Sequence, residues 1–305
     1  AQKSAIPALE GILLKAGEFK VMLTGYNLET GITVHVGAQI QEAGSCVMPA
    51  RLFFDIVRKL PDEMVSITVD HKQQVSIRAG AAFFQITAMD SEDYPELPDV
   101  NGKSGVTMPQ SALKAMISGT IFSVSENQAR PIQTGCLMEV TEDSVTMVAV
   151  DSFRLARRTW HTENAANHTL KFVVPAAGLK EIERILEDSD EPVTFTLGDK
   201  HILFSIGDAL LVSRVLEGEF IDWRRVVPTN CGTVLTANVA ELTSSIERVS
   251  LIISEKVKSP VRCVFGDNMA DFRTANTIGS AHDTCSIAGN GGELEIGFNS
   301  RYLLD

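Results

Sequence analysis

Five times along the chain, a short apolar strand runs into Pro or Asn and then into residues patterned for a helix: CVMPARLFFDIVRKL, GVTMPQSALKAMISG, FVVPAAGLKEIERIL, VLTANVAELTSSIERV and EIGFNSRYLLD. Beyond the first four anchors the apolar positions are Leu52, Phe53, Ile56 and Leu60, then Leu113, Met116 and Ile117, then Leu179, Ile182 and Leu186, then Leu242, Ile246 and Val249. Steps of three and four place each set on one helix face, which reads as a core face. Proline suits a first helical turn because its missing N–H would have no intrahelical partner there, and Asn caps the free N–H groups of a helix start. The anchors Pro49, Pro109, Pro175, Asn238 and Asn299 follow one another at 60, 66, 63 and 61 residues.

Between the helices, segments such as KVMLTGYNLETGITVHV and PVTFTLGDKHILFSIGDALLVSRVL alternate apolar and polar residues with turn pairs between them, which predicts antiparallel meanders. Other features recur at twice the period. Asn27, Asp151 and Asn276 each follow an alternating strand and lie 124 and 125 residues apart, while Asp93-Tyr94-Pro95 and Glu219-Phe220-Ile221 are separated by 126. The expected architecture is therefore α+β, with three tandem similar domains of two helices on antiparallel sheets, bounded at 1–104, 105–231 and 232–305. Units of this kind can continue a sheet from domain to domain and close into a ring, which removes exposed strand edges. Three full repeats need roughly 375 residues, so the first and third domains are expected to lack their outer parts in these 305 residues.

Composition narrows the class. A content of 44% hydrophobic and 22% charged residues is that of a soluble globular protein, and no apolar run approaches the ~20 residues that span a bilayer. The opening AQKSAIPALEGILLKAG has no basic segment followed by an apolar core, so no secretion signal is expected. Cys46, Cys136, Cys231, Cys263 and Cys285 are scattered and lack CxxC spacing, which favours reduced thiols in a cytoplasmic protein over disulfides or zinc. The net charge of -12 argues against a protein that wraps nucleic acid through clustered cations, so any DNA contact must be local or weak.

No catalytic constellation emerges. Asp90, Glu92, Asp93 and Glu96 crowd DSEDYPELPD, but Pro95 and Pro98 fix an extended loop, and the counterpart EGEFIDW does not keep the carboxylate set. The six histidines show no HxxxH spacing, Gly289-Asn290-Gly291-Gly292 reads as a turn between strands, and no GxSxG elbow occurs. No catalytic residue, metal site or cofactor is expected. An α+β repeat enzyme with a site between domains and a monomeric peptide-binding module stay open as rivals, separable by solution mass and by turnover assays.

Ten segments in order then resemble one family: KSAIPALEGILL, LTGYNLE, VMPARLFFDIVRKLP, EDYPELP, ENQARPIQTG, AVDSFRLA, FVVPAAGLKEIERIL, EFIDWRRVVP, SEKVKSPVR and EIGFNSRYLLD. Together, from Lys3 to Asp305, they resemble the bacterial DNA polymerase III beta subunit family, the DNA sliding clamps. The resemblance implies a head-to-tail homodimer of the DNA clamp fold that forms a ring around duplex DNA. Such a clamp is a non-catalytic processivity factor in DNA replication, the accessory subunit of a DNA-directed DNA polymerase, a nucleotidyltransferase complex. It implies partners, namely the polymerase III catalytic subunit, the clamp loader and repair proteins, which dock through short linear peptides, and it implies no membrane.

The resemblance also assigns residues. Gln133, Val150, Ser152, Phe153, Arg154, Leu155, Ile221, Arg225 and Val226 would line the partner-peptide pocket, with Gln133 standing where the family usually has an apolar residue. Lys3, Arg51, Asn127 and Arg130 would face DNA, while Pro131, Ile132 and Ala177 depart from family patterns in ways that lower the expected DNA affinity. The dimer interface would use the edge strand around Phe84 together with Leu251 and Ile252.

Overall fold

In the first unit of the chain, apolar alternation and turn residues build two strand-and-helix modules that share one sheet. A computed structural model describes residues 5–61, 64–102, 105–163, 169–254 and 259–305, and the chain falls into two compact units, Ala1–Phe220 and Ile221–Asp305. The first module contributes β1 (Gly11–Ala16), β2 (Lys20–Tyr26), β3 (Thr30–Gly37), β4 (Gly44–Pro49), α1 (Ala50–Val57), β5 (Ser66–Val69), β6 (Gln74–Ala79) and β7 (Ala82–Thr87). The second contributes β8 (Gly105–Pro109), α2 (Gln110–Ser118), β9 (Gly135–Val140), β10 (Ser144–Val150), β11 (Leu155–His161), β12 (Leu170–Pro175), α3 (Ala176–Ile185), β13 (Pro192–Leu197), β14 (His201–Ile206) and β15 (Ala209–Arg214).

An eight-stranded sheet in the order β4-β1-β2-β3-β15-β14-β13-β8 runs through both modules. The seam is the antiparallel pairing of β3 with β15, from Thr30 opposite Ser213 to Val34 opposite Ala209. A four-stranded sheet β11-β10-β9-β12 and a three-stranded sheet β5-β6-β7 complete the unit.

The helical stripes turn inward as their spacing predicts, except at Leu52 of α1, which is 47% exposed and lies off the core face that Phe53 and Ile56 form. Phe53 and Ile56 of α1 pack with Leu14, Met48, Val75 and Ile77, while Leu113 and Ile117 of α2 and Leu179 and Ile182 of α3 join Met138, Met147, Phe195 and Phe204. Phe195 stands edge-on to Phe172 at 6.2 Å and tilted against Phe204 at 5.8 Å, so one ring ties the core strands together. Cys136 lies fully buried here, and burial pushes its thiol up to about 12.

The anchors differ in one respect from the expected first-turn prolines. Pro49, Pro109 and Pro175 are the last residues of β4, β8 and β12 and occupy the N-cap, with extended ψ of 113°, 142° and 139°. A ring that fixes φ near the helical value while ψ stays extended ends a strand and starts a helix at one residue, and no side chain is needed to cap it. The Asn anchors cap in the usual way: Asn238 Oδ1 accepts the Glu241 N–H at 3.2 Å, and Asn299 Oδ1 accepts the Arg301 N–H at 3.1 Å.

The second unit is a smaller α+β module. It holds β16 (Thr236–Ala237), α4 (Val239–Ser250), β17 (Val261–Ala275), β18 (Ser280–Phe298) and α5 (Ser300–Leu304). α4 lays Ile246 and Val249 on Val261, Cys263, Ala270, Phe272, Cys285 and Ile287 of the β17–β18 hairpin. Gly289-Asn290-Gly291-Gly292 is not the turn between strands that its composition suggested; it lies inside β18, opposite register shifts between Phe265 and Asp267 and between Asp267 and Met269. Left-handed backbone at Gly289 (φ 121°), Gly292 (φ 59°) and the facing Asn268 (φ 54°) absorbs extra residues as a bulge, so the strand continues past them.

Candidate functional site

The three repeat markers fold into the same device. After its strand, Asn27 Oδ1 accepts the N–H groups of Glu29 and Thr30 at 3.0 and 2.7 Å, Asp151 Oδ1 those of Phe153 and Arg154 at 2.7 and 2.9 Å, and Asn276 Oδ1 those of Ile278 and Gly279 at 2.8 and 3.2 Å. A short acceptor side chain that bonds two and three residues ahead stabilises a tight turn. The middle copy alone of the three carries a carboxylate, and its second oxygen takes the Arg154 Nε at 3.2 Å. Arg154 further donates from Nη2 to the Phe122 carbonyl at 2.5 Å and lies 5.4 Å from the centre of the Phe122 ring. With the arginine held down, the turn lifts Phe153 to 78% exposure, next to exposed Ser152 and between buried Val150 and half-buried Leu155.

Gln133 sits in the 3-10 turn Pro131–Thr134 that leads into β9. Its N–H donates to the Arg130 carbonyl at 3.0 Å and its carbonyl accepts the Ser125 N–H at 2.8 Å. The side chain is buried, and Oε1 has no hydrogen-bond partner among the described residues. In the second unit, Trp223–Arg225 forms a 3-10 turn in which Trp223 is buried, the Arg224 guanidinium lies 4.2 Å from the Trp223 ring centre, and Arg225 Nε pairs with Asp222 Oδ2 at 3.1 Å. Ile221 is half-buried beside this turn and Val226 is exposed.

Profiles of the three domains of one family match almost the whole chain. The N-terminal domain of the DNA polymerase III beta subunit matches residues 1–98, its central domain 107–222 and its C-terminal domain 224–305. The chain belongs to the DNA polymerase III beta subunit family. Beta sliding clamps of Staphylococcus epidermidis and Staphylococcus aureus are 30% identical to it in alignments that cover 99% of this chain and 83% of theirs. Among solved structures it is similar to the Bacillus subtilis DNA polymerase sliding clamp, with TM-score 0.92 and 29% identity over all of this chain and 83% of that one. It is likewise similar to the Bartonella birtlesii sliding clamp bound to griselimycin, with TM-score 0.93, 29% identity and the same coverage.

The remaining clamp residues expected from sequence fall as follows. Arg51 is exposed on α1, beside exposed Leu52, Phe54 and Val57. Asn127 and Arg130 are exposed in the loop before β9, where Asn127 Oδ1 accepts the Ala129 N–H at 3.0 Å; Lys3 lies outside the described residues. β7 is the edge of its sheet, but Phe84 packs toward the core of the first module, and it is Phe83 that is exposed, with the Arg78 guanidinium 4.5 Å from its ring centre. Leu251 is 83% exposed after α4, and the carbonyl of half-buried Ile252 accepts Asn276 Nδ2 at 2.8 Å.

Two participants were missed among the site residues. Asp151 served only as a repeat marker, although an Asp two and three residues before the N–H groups it binds is a readable turn signature. Phe122 left no sequence trace, because its carbonyl meets Arg154 only through the fold. The acidic loop is a strap: Asp90 Oδ1 accepts the Glu92 N–H at 3.0 Å, and buried Tyr94 donates its hydroxyl to the Thr24 carbonyl at 3.1 Å. Among the described residues no three His, Cys, Asp or Glu side chains gather as a metal site, and no helix is long and apolar enough to cross a membrane.

Proposed function

We infer that the chain is a DNA sliding clamp, an accessory subunit that tethers the replicative DNA polymerase to duplex DNA and gives it processivity. The carrying observation is a match to all three beta-subunit domains in order, on a chain that carries three copies of its own repeat marker, Asn27, Asp151 and Asn276. In this reading two chains close head to tail into a ring, the edge around Phe84 in the first module meeting Leu251 and Ile252 of the second copy. Topology then replaces affinity: a closed ring cannot leave DNA sideways, so a protein of net charge -12 can hold duplex through few groups such as Lys3, Arg51, Asn127 and Arg130.

Val150, Phe153 and Leu155, with Arg154 beside them, would offer an apolar surface for short peptides of the polymerase catalytic subunit, clamp loader and repair proteins. Apolar anchors with acidic or polar neighbours suit such a surface. No cofactor enters this mechanism, and a replication clamp works in the cytoplasm. The deciding experiment loads the protein onto nicked circular DNA with a clamp loader and then linearises the DNA. Retention on circles and release from linear DNA is the expected result; equal retention on both would end the reading.

A further inference from the structure

Each half of the β3–β15 seam has a copy elsewhere in the chain, and both copies are strand edges. β3 follows the turn at Asn27, whose N–H donates to the Thr30 carbonyl; after the turn at Asn276 the same bond goes to the Gly279 carbonyl. Tyr26 pairs with Gly31 as Ala275 pairs with Ser280, so residues 279–283 are the copy of Thr30–Val34. β7 is the copy of β15, because β6 turns into it with Ala79 opposite Ala82 just as β14 turns into β15 with Ile206 opposite Ala209. β15 has β3 on its outer side, whereas β7 is the edge of its sheet and β16 covers β18 only at Ile287 and Ala288. An open strand edge accepts a strand, and these two are copies of a pair that already fits.

Carrying the register across sets Phe84 against Ala281 and Ile86 against Gly279, where the first seam has Leu211 against Ile32 and Ser213 against Thr30. The helix beside the strands changes in step. Pro49 and Pro175 align α1 with α3, so Leu52 stands for Gly178. Gly178 has no room for a side chain, since a Cβ there would meet Ser213 Oγ at 2.8 Å and Thr30 Oγ1 at 3.8 Å. Leu52 instead projects at 47% exposure, and a Cβ on Gly279 would meet nothing within 4 Å. Bulk that the first seam carries on its strand is carried on the helix in the copy. We propose that two copies of this chain close through an apolar size lock, in which Leu52 fills the space beside the partner's Gly279 and Phe84 lies opposite the partner's Ala281. This rests on the ring reading above and gives it a partner strand, a register and a contact chemistry. None of the five transferred pairs, from Ala82 with Asp283 to Ile86 with Gly279, sets a cation against a carboxylate, and Asp283 is already bound by Arg248 of its own chain. Shape and burial therefore carry the lock, not charge.

The test measures dimerisation of the full chain by sedimentation equilibrium. Gly279→Leu is expected to leave the chain folded by circular dichroism, because its own structure has space there and the backbone is not left-handed. It is expected to weaken dimerisation about tenfold or more, the effect of overpacking a filled contact. Adding Leu52→Ala is expected to restore most of that loss, which requires the two positions to touch. Wild-type dimerisation is expected to change by less than about threefold between ~0.1 and ~1 M NaCl, since a contact without ion pairs has little for salt to screen. Unchanged dimerisation in Gly279→Leu, a loss that Leu52→Ala does not repair, or a wild-type dimer that salt dissolves overturns the lock and leaves the ring standing. A wild-type chain that stays monomeric at every concentration overturns the ring reading and this inference together.

Discussion

Asp151 holds Arg154 twice, through its backbone N–H at 2.9 Å and through its guanidinium Nε at 3.2 Å, and both side chains are less than one-fifth exposed. The pair thereby fixes the turn that displays Phe153. Replacing Asp151 by Asn keeps the turn acceptor but removes the charge, whereas Ala removes both. Peptide affinity is expected to fall modestly in Asp151→Asn and by about tenfold or more in Asp151→Ala, since a half-buried arginine left without its carboxylate loses its set position. Calorimetric titration with one docking peptide checks the order, and an Ala variant that binds like wild type would refute it.

Phe153 separates binding from stability. At 78% exposure its truncation to Ala should change unfolding free energy by less than about 0.5 kcal/mol, while a central aromatic anchor is worth about 2 kcal/mol or more to a bound peptide. Denaturant melts alongside binding curves test both halves.

Leu179 is the opposite case. It is fully buried between α3 and the central sheets, so Leu179→Ala should destabilise the first unit by about 2–5 kcal/mol through lost burial and a residual cavity. A shift in urea midpoint with an unchanged slope is the expected signature.

Acid should loosen the second unit. The Arg273 guanidinium, bonded to Asp271 at 2.6 Å, holds that carboxyl below the usual range with help from His282, and Arg248 does the same for Asp283. A carboxylate whose folded pKa is depressed contributes stability that is present above its unfolded pKa, ~4, and lost as pH falls through the folded value. The melting temperature should therefore fall on acidification below pH ~4, and Asp271→Asn should flatten that part of the profile. Exposure of the arginines keeps the effect small.

Thiol chemistry should be selective. Cys231 is exposed, whereas burial pushes Cys136 up to about 12 and Cys263 up to about 11. Iodoacetamide at pH ~8 should label Cys231 first in the native protein and reach the buried four only after denaturation, which peptide mass mapping can follow.

The sequence made the repeat legible because Asn27, Asp151 and Asn276 each perform a local task, an acceptor reaching two and three residues ahead, and local tasks leave residues at fixed spacing. Helical faces were legible for the same reason. The bulge at Gly289–Gly292 was not, since glycine-rich composition serves a turn or an interrupted strand equally, and the facing Asn268 decides which. Phe83 and Phe84 show a further limit: alternation says that adjacent side chains take opposite faces, but which face is covered depends on the β6 partner and on α1. Gln133 looked like a simple departure from family habit until its burial was known.

The ladder between β3 and β15 makes excision of the first module a chemical insult and not a clean cut. A fragment ending near residue 98 would carry the backbone of Thr30–Val34 with five residues' worth of broken strand pairing, open to any extended chain that comes near. Such a fragment should self-associate unless a substitute strand is supplied, and the two modules are better regarded as one piece of material for any dissection of this protein.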